Sequence, residues 1–173
     1  MVKSWGFVLL PRNLRNFVIY FLDKGFQEVG PDSEHVFNSH IIIDSEGEIV
    51  DVYRKLHLFD VSIENGPVLQ ESRYTSPGNE LKVVDSPFGK LGLSTCYDLR
   101  FPELYCKLVY EMGAQIIFVP SAFTVPTGRA HWEILLRARA IEMQAYVIAA
   151  AQVGKHSEKV SFSFFLYYWK FIM

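Results

Sequence analysis

The stretch that decides the fold is residues 90–120, KLGLSTCYDLRFPELYCKLVYEMGAQIIFVP. Residues 90–95 read as an apolar strand that delivers Cys96 to a corner. Pro102 then opens a helix over 101–112, with Leu104, Leu108 and Met112 at helical spacing, and Gly113 stops it. Residues 115–119 follow as a buried strand. Downstream, 130–144 reads as a long helix carrying Ile134, Leu135, Ala138 and Ile141, with Arg137 and Arg139 beside them, and 146–151 as another buried strand. Upstream lie two hairpins. One joins 81–85 to 90–95 through Ser86-Pro87-Phe88-Gly89, the other joins 36–44 to 48–55 through Ser45-Glu46-Gly47. Residues 60–79, with Pro67, Pro77 and two glycines, read as a long unstructured connection of the kind that carries function. Strand, helix, strand, helix and strand in succession predict an α/β layered fold in one domain, without internal repeats or a linker.

Composition narrows the classes. Half of the 173 residues are hydrophobic and 21% are charged, which excludes a disordered chain. With 17 basic against 19 acidic residues the net charge is −2, so no nucleic-acid partner is expected. The apolar runs at 17–22 and 162–169 are shorter than the roughly 20 residues a membrane helix needs, so no membrane partner is expected either. Two cysteines, Cys96 and Cys106, make neither a disulfide scaffold nor a zinc site. A reducing compartment follows: the cytoplasm, with the mitochondrion as the alternative that the N-terminal arginines support.

Three residues invite chemistry. Cys96 stands at a strand-to-helix corner, where a thiol is exposed and the next backbone N–H, that of Tyr97, can face a developing oxyanion. The competing reading is a small buried hydrophobe. Lys55 closes the second strand of the first hairpin and reads either as a fixed charge over a reaction centre or as a solvated surface lysine. Glu71, in the long connection, reads as the partner of such a lysine or as a plain loop carboxylate.

Together, YRKLHLFD at 53–60, QES at 70–72, STCYDLRFPELY at 94–105 and VPSAFTVPTGRAHWEILLRARAIEMQAYVIAAAQVGKH at 119–156 resemble the nitrilase, or carbon–nitrogen hydrolase, superfamily. They are most similar to its Nit branch, whose amidases act on deaminated glutathione. The omega-amidases, acting on keto-acid amides, are the sibling alternative, and TGRAHWEILLRARAIE at 127–142 favours the former. The resemblance implies an αββα-type layered sandwich and hydrolysis of a small amide through a cysteine thioester, without cofactor or metal. It implies a homodimer or higher oligomer in the complete family protein. By the same resemblance Cys96 matches the nucleophile, Lys55 the triad lysine and Glu71 the glutamate that orients it. Tyr97 matches the oxyanion-hole residue and His131 a pocket-lining position. Arg100 is read either as a binder of substrate carboxylates or as a charge paired with Asp98 or Glu103.

The resemblance runs over residues 25–159 as a partial carbon–nitrogen hydrolase domain, between a divergent segment at 1–24 and a divergent hydrophobic tail at 160–173. The sandwich is therefore expected to be incomplete at both termini. The family's general-base glutamate should precede residue 25, where Asp23 is the one carboxylate, so no residue is named as the base. Lys159-Val160-Ser161 is what AAG-GTA-AGT encodes, the pattern of an exon running into a splice donor. A catalytically impaired isoform or pseudoenzyme, acting as a scaffold or partner, is accordingly the second functional expectation.

Overall fold

Along residues 91–93 of the strand that leads to Cys96, Leu91 and Leu93 turn to one side and Gly92 to the other, the two-residue period of a strand buried on both faces. The computed structural model describes residues 6–8, 17–21, 26–62, 68–151, 154–155, 161–162 and 167–169, with side-chain placement for 27–62 and 68–151. The described strands are β1 (Gly6–Val8), β2 (Phe17–Phe21), β3 (Phe26–Val29), β4 (Val36–Asp44), β5 (Ile49–Arg54), β6 (Asp60–Ser62), β7 (Val68–Gln70), β8 (Thr75–Ser76), β9 (Val83–Ser86), β10 (Gly89–Leu93), β11 (Ile116–Phe118), β12 (Tyr146–Ala149), β13 (Gly154–Lys155), β14 (Ser161–Phe162) and β15 (Tyr167–Trp169). The helices are α1 (Pro102–Cys106), continued by a π turn over Lys107–Glu111, and α2 (Val125–Met143).

Two sheets dominate. One has six strands, with β4 at its centre receiving β2 and β3 antiparallel on one edge and β5 antiparallel and β8 parallel on the other. The other runs β15-β12-β11-β10-β9, parallel through β10, β11 and β12 and antiparallel at both edges. The parallel strands are joined by α1 and α2, as a crossover requires.

Period-two alternation sorts the second sheet into two cores. Leu91, Leu93 and Phe118 face the first sheet and pack with Ile42, Tyr53 and Val84. Ile117, Val147 and Ala149 face the helices and pack with Leu104, Tyr105 and Leu108 and with Trp132, Leu136, Ala140 and Met143. Gly92 points into the helical side, where a Cβ would stand 3.0 Å from Ala114. The described residues thus form helix, sheet and sheet, three of the four layers expected. The α/β reading holds.

Both hairpins and both connecting helices lie where the sequence puts them, with differences at the margins. α2 starts at Val125 and not at 130, because Pro126 in its first turn supplies a fixed helical φ without wasting a donor. Its buried stripe is Trp132, Leu136, Ala140 and Met143, while Ile134 and Ile141 are exposed. Residues 60–79 are not structureless: β6 and β7 pair as a ribbon, a 3-10 turn follows at Glu71–Arg73, and β8 joins β4. The tail contributes β15, which pairs with the outer edge of β12. Of the segment 1–24, residues 1–5, 9–16 and 22–24 lie outside the described residues. Among the described residues no helix is long and apolar enough to cross a membrane.

Candidate active site

Cys96 begins a 3-10 turn, Cys96–Arg100, directly after the extended Ser94 and Thr95. Its φ is +49°, in the left-handed region that side chains avoid, so the chain turns sharply there. The corner is tied to the end of β11: Ser94 N–H donates to the Phe118 carbonyl at 3.1 Å and Cys96 N–H to that of Pro120 at 2.8 Å. The half-buried Sγ lies 3.8 Å from the Ala122 carbonyl oxygen. Burial pushes the thiol above its ordinary value, and the opposing pull of the Lys55 charge does not cancel it. The resting group is a neutral thiol.

Lys55 follows β5 with its side chain only 2% exposed. A buried ammonium needs partners, and Nζ donates to Glu71 Oε2 at 2.5 Å. The same oxygen accepts Phe59 N–H at 2.7 Å, and Oε1 accepts Asn38 Nδ2 at 3.2 Å. The Lys55 backbone is held as firmly, donating to the Asn38 carbonyl at 2.8 Å and accepting Gly78 N–H at 2.9 Å. Gly78 makes that approach possible, since a Cβ there would sit 2.2 Å from the Arg54 carbonyl oxygen.

Asp98 joins these halves. It is fully buried and accepts hydrogen bonds on both oxygens. Oδ2 takes Tyr53 OH at 2.6 Å and Thr95 N–H at 2.9 Å, while Oδ1 takes His57 N–H at 3.0 Å and His57 Nδ1 at 2.8 Å. The His57 ring stacks on Phe101, with centroids 3.7 Å apart.

A cavity of about 450 Å³ opens between the sheets, of a size that suits a small molecule. Cys96, Lys55, Glu71, Tyr97 and Arg100 line it, so the structure brings five of the six sequence-selected residues to one chamber. Tyr97 packs edge-on against Phe59 and Phe101. Arg100 is partnered by neither Asp98 nor Glu103 in the described hydrogen bonds; its Nη2 donates to His131 Nδ1 at 2.9 Å. His131 itself is an exposed residue of α2 outside the cavity wall, reaching the chamber only through Arg100. Sequence reading missed Asn38, Tyr53, His57 and the central place of Asp98. The one signal available was the spacing Thr95-x-x-Asp98, that of a capping residue at the start of a turn. No cluster of metal-ligating side chains occurs among the described residues.

Comparison with known proteins gives this arrangement a context. The sequence pattern of the carbon-nitrogen hydrolase family matches residues 14–164. The deaminated glutathione amidase of Dictyostelium discoideum is 58% identical over 140 residues, 79% of this chain and 48% of its own length. The crystal structure of the Caenorhabditis elegans NitFhit protein superposes with a TM-score of 0.74 at 51% identity, covering 80% of this chain and 34% of its own. That of Saccharomyces cerevisiae Nit3, a member of branch 10 of the nitrilase superfamily, gives a TM-score of 0.66 at 34% identity, covering 79% and 46%. The chain spans less than half the length of each of these relatives. A match over most of its residues, and a layered fold shared with solved relatives, establish that the chain belongs to the carbon–nitrogen hydrolase family.

Proposed function

We propose that this chain carries an amide-hydrolysing site in which Cys96 is the nucleophile, with deaminated glutathione as the preferred substrate. The observation that carries the reading is the buried Lys55–Glu71 pair, 2.5 Å apart, on the wall of the cavity that the strained Cys96 corner also lines. Cys96 Sγ adds to the amide carbonyl carbon, and the oxygen takes the negative charge against the Lys55 ammonium and the Tyr97 N–H. Lys55 Nζ gives a proton to the departing nitrogen and takes up the one that the thiol releases, so the amine of the cysteinylglycine half leaves and a thioester remains on Sγ. Water then cleaves the thioester to the free acid. Glu71, with both oxygens engaged, keeps Lys55 aimed. Arg100, half-buried at the chamber wall, receives a carboxylate of the substrate, which a peptide-like keto acid supplies. A free thiol in this role suits a reducing compartment, the cytoplasm first. The exposed Ile134 and Ile141, two turns apart on α2, support self-association.

A second reading, a scaffold or partner without turnover, is favoured by one observation. Glu71 is the one carboxylate among the described residues lining the cavity, and its oxygens are already taken. Acid-quenching the chain with deaminated glutathione and weighing the Cys96 peptide separates the two. The amidase reading predicts an acyl adduct on Cys96 that is absent from Cys96→Ala. An unmodified Cys96 throughout the incubation supports the scaffold.

A further inference from the structure

Lys55 lies in the chain between Tyr53 and His57, and Cys96 between Thr95 and Asp98. The Asp98 carboxylate is bonded to Tyr53, His57 and Thr95. It therefore spans the two halves of the chamber, with partners 41 and 45 residues away in sequence on the Lys55 side. These contacts are buried or nearly so, and Asp98 itself is 0% exposed, so water does not compete for the carboxylate. A lysine side chain is long and flexible, and Glu71 fixes only its tip. Where that tip stands relative to Sγ depends on where the Tyr53–His57 backbone is anchored.

We infer that Asp98 is a positioning residue of the amidase site, clamping the strand end that carries Lys55 to the corner that carries Cys96. The inference rests on the amidase reading for its catalytic meaning, while its geometry is testable without turnover. A plain buried carboxylate makes the opposite forecast in sign. The negative charge of Asp98 hinders ionisation of the nearby thiol, so if charge alone mattered, neutralising Asp98 would make Cys96 more reactive. If Asp98 sets the Lys55–Cys96 geometry, neutralising it moves the ammonium away and makes Cys96 less reactive.

The test is a double-mutant cycle on alkylation of Cys96 by iodoacetamide at fixed pH, read on the Cys96 peptide so that Cys106 does not interfere. Asp98→Asn places an amide NH2 against Thr95 N–H and Tyr53 OH, and Lys55→Met removes the charge. Each is expected to slow alkylation by about tenfold, and the double variant to be no slower than the slower single one. Tyr53→Phe deletes only the 2.6 Å hydrogen bond and is expected to slow it by about threefold; it decides the matter if Asp98→Asn does not fold. Alkylation that is unchanged or faster in the folded variants, or effects that multiply in the double one, overturns the inference. Where amide turnover is measured, Asp98→Asn is expected to lower kcat with KM held. A chain that shows no cysteine-dependent turnover contradicts the amidase reading instead, and the alkylation cycle still gives its own answer.

Discussion

Cys96 holds two properties in tension: a backbone angle that costs energy and a thiol that burial keeps protonated. The angle is what swings Sγ off the strand and into the chamber. Glycine alone relieves it, so Cys96→Gly is expected to unfold at about 1 kcal/mol higher free energy than Cys96→Ala, both being inactive. Equal denaturation midpoints would show that the corner is unstrained. Lys55→Ala leaves Glu71 facing an empty place and the oxyanion without its cation. Its kcat for release of cysteinylglycine is expected to fall by about 10²–10⁴-fold, with the circular dichroism spectrum retained; turnover near the unsubstituted rate would remove Lys55 from the mechanism. That Cys96 and Lys55 follow strands was legible from period and turn signals, while the roles proposed for them came from the resemblance of the segments around them to a known family. Asp98 and Asn38 were not, because what gives them meaning is contact with residues 41–45 and 33 positions away, which no local pattern encodes.

At the level of elements, the connection between β5 and β9 matters more than its irregular composition suggests. The β6–β7 ribbon and the short turn at Glu71–Arg73 carry Glu71 back over Lys55. Gly78 then passes close enough to bond the Lys55 carbonyl. Gly78→Ala drives a methyl into the Arg54 carbonyl and is expected to cost roughly 1–3 kcal/mol in urea unfolding and to lower activity with it. Wild-type stability in this variant would mean that the strand end is free to shift. Proline and glycine spacing showed that this segment breaks regular structure, but not that three-residue strands reform within it, since so short a run has no period to read. On α2 the apolar residues surround the helix. Trp132, Leu136, Ala140 and Met143 face inward and Ile134 and Ile141 outward, and the packing of β11 and β12 makes that choice.

For the molecule as a whole, the two sheets are joined across their interface by polar ties as well as by the apolar core. His40 of β4 donates from Nδ1 to the Ser94 carbonyl beyond β10 at 3.1 Å, inside the protein. Burial lowers its pKa from 6.5 to about 4. The folded state thus binds the proton less well than the unfolded state. The contribution to stability is complete above pH 6.5 and is lost as the pH falls towards 4, at about 1.4 kcal/mol per pH unit. Denaturation measured from pH 7 to pH 4 is expected to show that slope, and His40→Asn to flatten it. An unaltered slope in the variant would assign acid sensitivity elsewhere. The α/β layering was legible from alternation and helical spacing alone, whereas the pairing of β15 with β12 was not, because residues 160–173 depart from the family pattern that informed the rest.

The central claim is that one chamber, lined by Cys96, Lys55 and Glu71, hydrolyses an amide. Its most direct test is release of cysteinylglycine from deaminated glutathione by the 173-residue chain, with Cys96→Ala alongside. The account predicts release that Cys96→Ala abolishes. No release from a folded sample, or equal release from both proteins, would contradict it.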